Sequence, residues 1–141
     1  MRHRFALVWV ALGACALFQV GCTLVPPAAP SLLFGQTEGG CRAGGQTDEA
    51  HVLVDHGQVV VSGVILTDTP CQHLVPSLRV GGDWIVLSAD SIAQPGACPI
   101  CLGSVAYQAR IVGLEPGRYT LRVKHRDRTV AYVDMVIAAG L

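Results

Sequence analysis

Cysteine is the residue type best equipped for chemistry in this chain, at Cys15, Cys22, Cys41, Cys71, Cys98 and Cys101. The last two stand in the run Cys98-Pro99-Ile100-Cys101, and His73 follows Cys71 after one residue. A thiolate can be a nucleophile, a soft metal ligand or half of a disulfide, according to its pKa and compartment. A C-x-x-C can be a dithiol redox pair. Cys71, His73, Cys98 and Cys101 together would make a Cys₃His set competent for zinc or copper(I). In an oxidising compartment the same residues become staples, and four cysteines allow three pairings. Little else looks catalytic. There is no G-x-S-x-G, H-E-x-x-H or S-x-x-K motif and no phosphate-cradling glycine loop, so no enzyme activity and no cofactor are expected.

The compartment is read from the first residues. A basic start, Met1-Arg2-His3-Arg4, precedes an uncharged run from Phe5 to Gly21 in which only Gly13, Gln19 and Gly21 are not apolar. This is the pattern of a secretory signal, and it is short for a membrane span. It resembles a bacterial lipoprotein signal, which ends just before a cysteine that receives lipid. Leu12-Gly13-Ala14-Cys15 fits that pattern residue by residue. Gln19-Val20-Gly21-Cys22 fits it by position, because cleavage before Cys15 leaves a very short apolar stretch. Cys22 is the preferred lipidation site and Cys15 the alternative. Lipid on Cys22 leaves Cys41, Cys71, Cys98 and Cys101 as an even set, whereas lipid on Cys15 leaves an odd one. The resemblance implies a palmitate-bearing protein of the bacterial cell envelope, anchored on the periplasmic side of a membrane or at the cell surface.

Charge narrows the partners. Ten basic residues balance ten acidic ones, and losing Arg2 and Arg4 with the signal leaves a slightly acidic remainder. Nucleic acid is therefore not an expected partner. Five cations nevertheless cluster at Arg118, Arg122, Lys124, Arg126 and Arg128. They form a candidate face for an anion, an envelope protein or a glycan, unless they only keep a strand face wet.

These residues need a frame. Residues 22–50 are rich in proline at the start and glycine at the end, and read as a flexible tether with an apolar patch at Leu32-Leu33-Phe34. Seven strand-like runs follow, at 51–54, 58–66, 76–80, 83–89, 104–112, 118–125 and 128–138. Val105, Tyr107, Ala109 and Ile111 share one parity, as do Tyr119, Leu121 and Val123. Each set would therefore line one face of its strand. Trp84 is expected in the core, and His51 and His56 at the surface. With no helical stripe after residue 50, the expectation is an all-β fold.

Leu114, Pro116, Gly117 and Tyr119 sharpen it. The run Leu-x-Pro-Gly-x-Tyr resembles the corner turn of immunoglobulin-like and prealbumin-like domains of bacterial envelope proteins. In such corners the tyrosine bonds back to the chain a few residues upstream. The resemblance implies a seven-stranded, immunoglobulin-like antiparallel β-sandwich over residues 51–141. If successive strands alternate in direction, the connections holding Cys71 and His73, Cys98 and Cys101, and His125 to Asp127 share one end. The tether and Cys41 are expected to arrive there too. Cys71 would then pair with Cys98 or Cys101, and the other would hold Cys41. The whole reads as a lipid-anchored binding or structural module with two disulfides. The alternative is an exported metal-binding or thiol-redox protein using Cys71, His73, Cys98 and Cys101.

Overall fold

The computed structural model describes residues 28–139, which form nine strands and no helix. These are β1 (Ser31–Gln36), β2 (Gly40–Cys41), β3 (Glu49–Asp55), β4 (Gln58–Thr67), β5 (Gln72–Gly81), β6 (Trp84–Ala93), β7 (Gly103–Val112), β8 (Gly117–His125) and β9 (Arg128–Ile137). One sheet runs β1-β7-β4-β3, with β2 also on β7, and the other runs β5-β6-β8-β9. The all-β sandwich is as expected, with nine strands among the described residues in place of seven.

The two further strands correct the flexible tether from Ser31 onward. β1 pairs antiparallel with β7, Ser31 opposite Val112 and Gln36 opposite Tyr107. Leu32 and Phe34 pack against the core while Ser31, Leu33 and Gly35 face out. Three apolar residues in a row on a half-exposed edge strand hide the period of two. Gln36 then closes that side of the sandwich. Its Oε1 accepts from the Leu74 N–H at 2.7 Å, and its Nε2 donates to the Gln72 carbonyl at 3.5 Å. A side-chain amide thus satisfies backbone groups at the edge strand β5, where a bare edge would invite pairing with another chain.

The interior is built from the inward parity of each layer. Val59, Val61 and Ile65 of β4 and Val105, Tyr107, Ala109 and Ile111 of β7 meet Ile85 and Leu87 of β6 and Leu121 and Val123 of β8. β4 and β6 each lie between two strands of their sheet, and along both the buried residues alternate with half-buried or exposed ones. Turn chemistry fixes the hairpins. His56 (φ 47°) and Gly57 (φ 74°) turn β3 into β4, and Gly82 (φ 58°) turns β5 into β6. Two-residue hairpins need such positive φ to match the strand twist.

From β3 to β9 every strand reverses the direction of the one before it. β6 and β8 therefore run parallel, with Trp84 beside Thr120 and Ala89 beside His125. This departs from the fully antiparallel expectation. A parallel pair needs a crossover, and here the crossover is β7, which lies in the opposite sheet. The same alternation gathers the connections 68–71, 94–102 and 126–127 at one pole, and Cys41, paired beside Gly103, arrives there as well. The tether does not. β1 begins beside Val112, so the chain enters the domain at the opposite pole. The expectation that tether and cysteines share an end fails because β1 spans the sandwich before Cys41 is reached.

Candidate functional site

Two regions compete as sites: the cysteine pole and the outer face of the β5-β6-β8-β9 sheet. At the pole Cys41 bonds Cys101 and Cys71 bonds Cys98, with Cα–Cα separations of 5.7 and 5.9 Å. Both disulfides grip the 94–102 loop, one from β2 and one from the β4–β5 connection. The Gln94 N–H donates to the Cys71 carbonyl and the Arg42 N–H to the Leu102 carbonyl, at 2.9 and 2.7 Å. Loop closure makes the bridges worth about 3.5 kcal/mol for the 27-residue separation and about 4 kcal/mol for the 60-residue one. Between them Ile100 is fully exposed at the tip. The pairing leaves no free thiolate for the Cys71, His73, Cys98 and Cys101 metal set. His73 stands exposed on β5, and the described residues contain no cluster of three metal-ligating side chains.

Behind the loop lies a buried polar chain. His125 ends the inward row of Leu121 and Val123 on β8 and is 2% exposed. Its Nδ1 meets Asp48 Oδ1 at 2.5 Å and its Nε2 meets the Tyr107 hydroxyl at 2.7 Å. A carboxylate only accepts, so Nδ1 carries the proton and Nε2 accepts from the Tyr107 O–H. Arg128 Nη2 donates to the other Asp48 oxygen at 2.7 Å. Burial lowers the His125 pKa below its ordinary value, against the hydrogen bond and charge of Asp48 and with a smaller push from Arg128 and Arg126. Burial, helped by the Asp48 charge, raises the Tyr107 phenol above its ordinary range. Tyr107 sits where Gly63 leaves room, since a Cβ there would stand 2.5 Å from the ring. Carboxylate, imidazole and phenol occur in the order of a proton relay. The relay ends in the core, however: Tyr107 is 4% exposed and its hydroxyl is engaged by His125. The arrangement ties β7 to β8 across the two sheets and holds the segment before β3.

Arg126 belongs to the same pole. Its backbone lies at φ 54°, a costly region for a non-glycine residue. Its N–H donates to the Ala89 carbonyl at 3.0 Å and its Nη2 to the Leu66 carbonyl at 2.8 Å. Arg126 and Arg128 are thus engaged in holding the pole together, and the five clustered cations do not form one face. Arg118, Arg122 and Lys124 do share the outer side of β8, and Arg79 of β5 joins them. The register sets Arg79, Val86, Arg122 and Tyr132 side by side across four strands. None of these four cations forms a salt bridge among the described residues.

Aromatic side chains complete this face. Trp84, expected in the core, is 46% exposed and Tyr132 is 60% exposed. Trp84 follows the hairpin turn, and its indole lies across Gly81, its cross-strand partner, in space a Cβ would fill. The Arg122 guanidinium sits 5.8 Å from the centre of the Tyr132 ring. Thr120 Oγ1 donates to Asp134 Oδ1 at 2.7 Å. Trp84, Val86, Thr120, Arg122 and Tyr132 border a shallow cleft of about 200 Å³.

The tyrosine corner stands at the far pole. The Tyr119 hydroxyl donates to the Glu115 carbonyl at 3.1 Å, with Leu114 buried beneath and Pro116 and Gly117 leading into β8. Cys15 and Cys22 lie outside the described residues. Sequence reasoning missed Asp48, Arg79 and Tyr132, and it placed Tyr107 on the inward face without its bond to His125. Gly63 inside an apolar strand was the one signal for Tyr107, because such a glycine marks a close approach. No family model, no curated protein and no solved structure matches this chain.

Proposed function

We propose that this protein is a non-enzymatic binding module of the bacterial cell envelope, anchored through lipid on Cys22. It presents the outer face of the β5-β6-β8-β9 sheet to a partner. The observation that carries this reading is the gathering on one face of a net-acidic domain of two exposed aromatic rings and four cations that form no salt bridge among the described residues. The two disulfides suit an oxidising, exported location. The uncharged run before Cys22 supports the anchor. A closed core site, with the Tyr107 hydroxyl covered, supports binding over catalysis.

Membrane fractionation and palmitate labelling test the anchor. Cys22→Ser is expected to abolish labelling and release the protein, whereas Cys15→Ser leaves both unchanged. The reverse result moves the anchor to Cys15, and labelling of neither overturns lipidation. A photo-crosslinking residue at position 86 tests the face. Envelope adducts that disappear in Arg122→Gln support it, and adducts only from a probe at position 108 on the opposite sheet overturn it.

A further inference from the structure

We infer that the Trp84–Tyr132 cleft and the cation row beside it bind an acidic polysaccharide, one sugar ring in the cleft and its carboxylates on Arg122 and the other cations of β8, Arg118 and Lys124. This rests on the binding-module reading and names its ligand.

Size comes first. A cleft of about 200 Å³ suits a single ring, whereas pockets for drug-sized ligands run to about 300–1,000 Å³. Chemistry comes next. Trp84 is pinned with one side across Gly81 and is partly open to solvent. An indole fixed this way offers an electron-rich face to the C–H groups of a pyranose, at little entropic cost. Tyr132 is held on the other side of the cleft by Arg122. At the border Thr120, whose hydroxyl donates to Asp134 just outside the cleft, keeps an oxygen that can accept from a ring hydroxyl.

Charge then separates acidic from neutral sugars. Arg118, Arg122 and Lys124 stand two or fewer residue pairs apart on one side of β8, a spacing of about 7 Å per step. A row of cations along one strand complements a linear polymer that carries charge along its length. Arginine, with its planar fork of donors, suits carboxylates in particular. Three acids share this side of the sheet, Asp83, Asp90 and Asp134, against four cations, and the rest of the domain is acidic. Among polyanions, the aromatic cleft selects one built of rings.

Calorimetric titration of the full-length protein, made in an oxidising compartment and held in detergent, tests this with an oligogalacturonate. Saturable binding that weakens with added salt is expected, with no binding of a neutral dextrin of equal length. Arg122→Gln and Trp84→Ala are each expected to weaken it about tenfold or more, the scale of a lost charge-assisted contact. Tyr132→Leu repeats the test at a site that supports no turn. Arg110→Gln, the same charge change on the opposite sheet, should leave affinity unaltered. Every variant is first shown to keep both disulfides and a cooperative melt.

Equal binding of the dextrin, or affinity indifferent to Arg122→Gln and Tyr132→Leu, overturns the inference. Binding instead to phosphatidylglycerol vesicles or to oligodeoxythymidylate overturns the ligand class while leaving a binding module. Silence towards all four probes, together with loss of the position-86 adducts, overturns both readings. Silence with those adducts retained overturns the glycan alone.

Discussion

Replacing Tyr107 by Phe removes one hydroxyl and keeps the ring in the space left by Gly63 and in its stack on Phe34, 5.4 Å between centroids. The loss falls on His125. Its Nε2 would remain inside a core where the ring is 2% exposed, with no donor to meet it. Leaving a buried acceptor unsatisfied costs about 1–3 kcal/mol. At this domain size that is about 4 °C of melting temperature per kcal/mol, so a fall of about 4 to 12 °C. Thermal and urea melts with intact disulfides measure it. The same network sets a pH dependence. His125 in the fold has a pKa below its ordinary value of 6.5, so the unfolded chain takes up a proton at a pH where the folded one does not. Its contribution to stability is therefore full above about pH 6.5. It falls as the solution is acidified below that, by at most about 1.4 kcal/mol per pH unit, until the folded ring also titrates. Asp48, Arg126 and Arg128 are the charged groups that influence the ring. A Tyr107→Phe protein within about 0.5 kcal/mol of wild type, the ordinary scatter of harmless substitutions, refutes the account. Wild-type stability that does not fall below pH 6.5 refutes it as well.

Removing the Cys71–Cys98 bridge as a double alanine variant should lower stability by about 3.5 kcal/mol in urea melts, with the 27-residue loop reopened in the unfolded chain. Gly63→Ala should cost about 1–3 kcal/mol, because the new methyl meets the Tyr107 ring and not a mobile side-chain end. Tyr119→Phe should cost about 0.5–1.5 kcal/mol, read as a lower melting temperature, through loss of the hydroxyl's bond to the Glu115 carbonyl.

Alternation made the seven later strands legible, because β7 and β8 bury every second residue. Strand parity also brought Cys71, Cys98, Cys101 and Cys41 to one end without any knowledge of which strands share a sheet. β1 escaped because an edge strand is half-exposed and its one unbroken apolar triplet shows no period. Trp84 escaped for a different reason. Large aromatics are mostly buried, and only the register, which puts Gly81 opposite it, shows that this one lies over a hairpin end. Asp48 carries no local pattern at all. Its role arises from three strands converging, which no window of sequence displays. The arginine cluster was half legible: period two separates Arg118 and Arg122 from the inward row, but the β8–β9 turn carries Arg126 and Arg128 off the face.

The order of the disulfides has a consequence for biogenesis. Numbered along the chain, the first cysteine of the fold joins the last and the second joins the third. A chain exported amino end first shows Cys41 and Cys71 to the oxidant before Cys98 and Cys101 have crossed. Oxidation in order of appearance would join Cys41 to Cys71 and then Cys98 to Cys101, and neither bond is native. The nested pattern therefore needs either delayed oxidation or reshuffling by thiol exchange, which takes seconds to hours and is sped by an isomerase. An oxidising compartment alone is not enough for this chain. Its yield should follow the isomerase capacity of the host, and the trapped forms should carry Cys98–Cys101 as a closed four-residue ring.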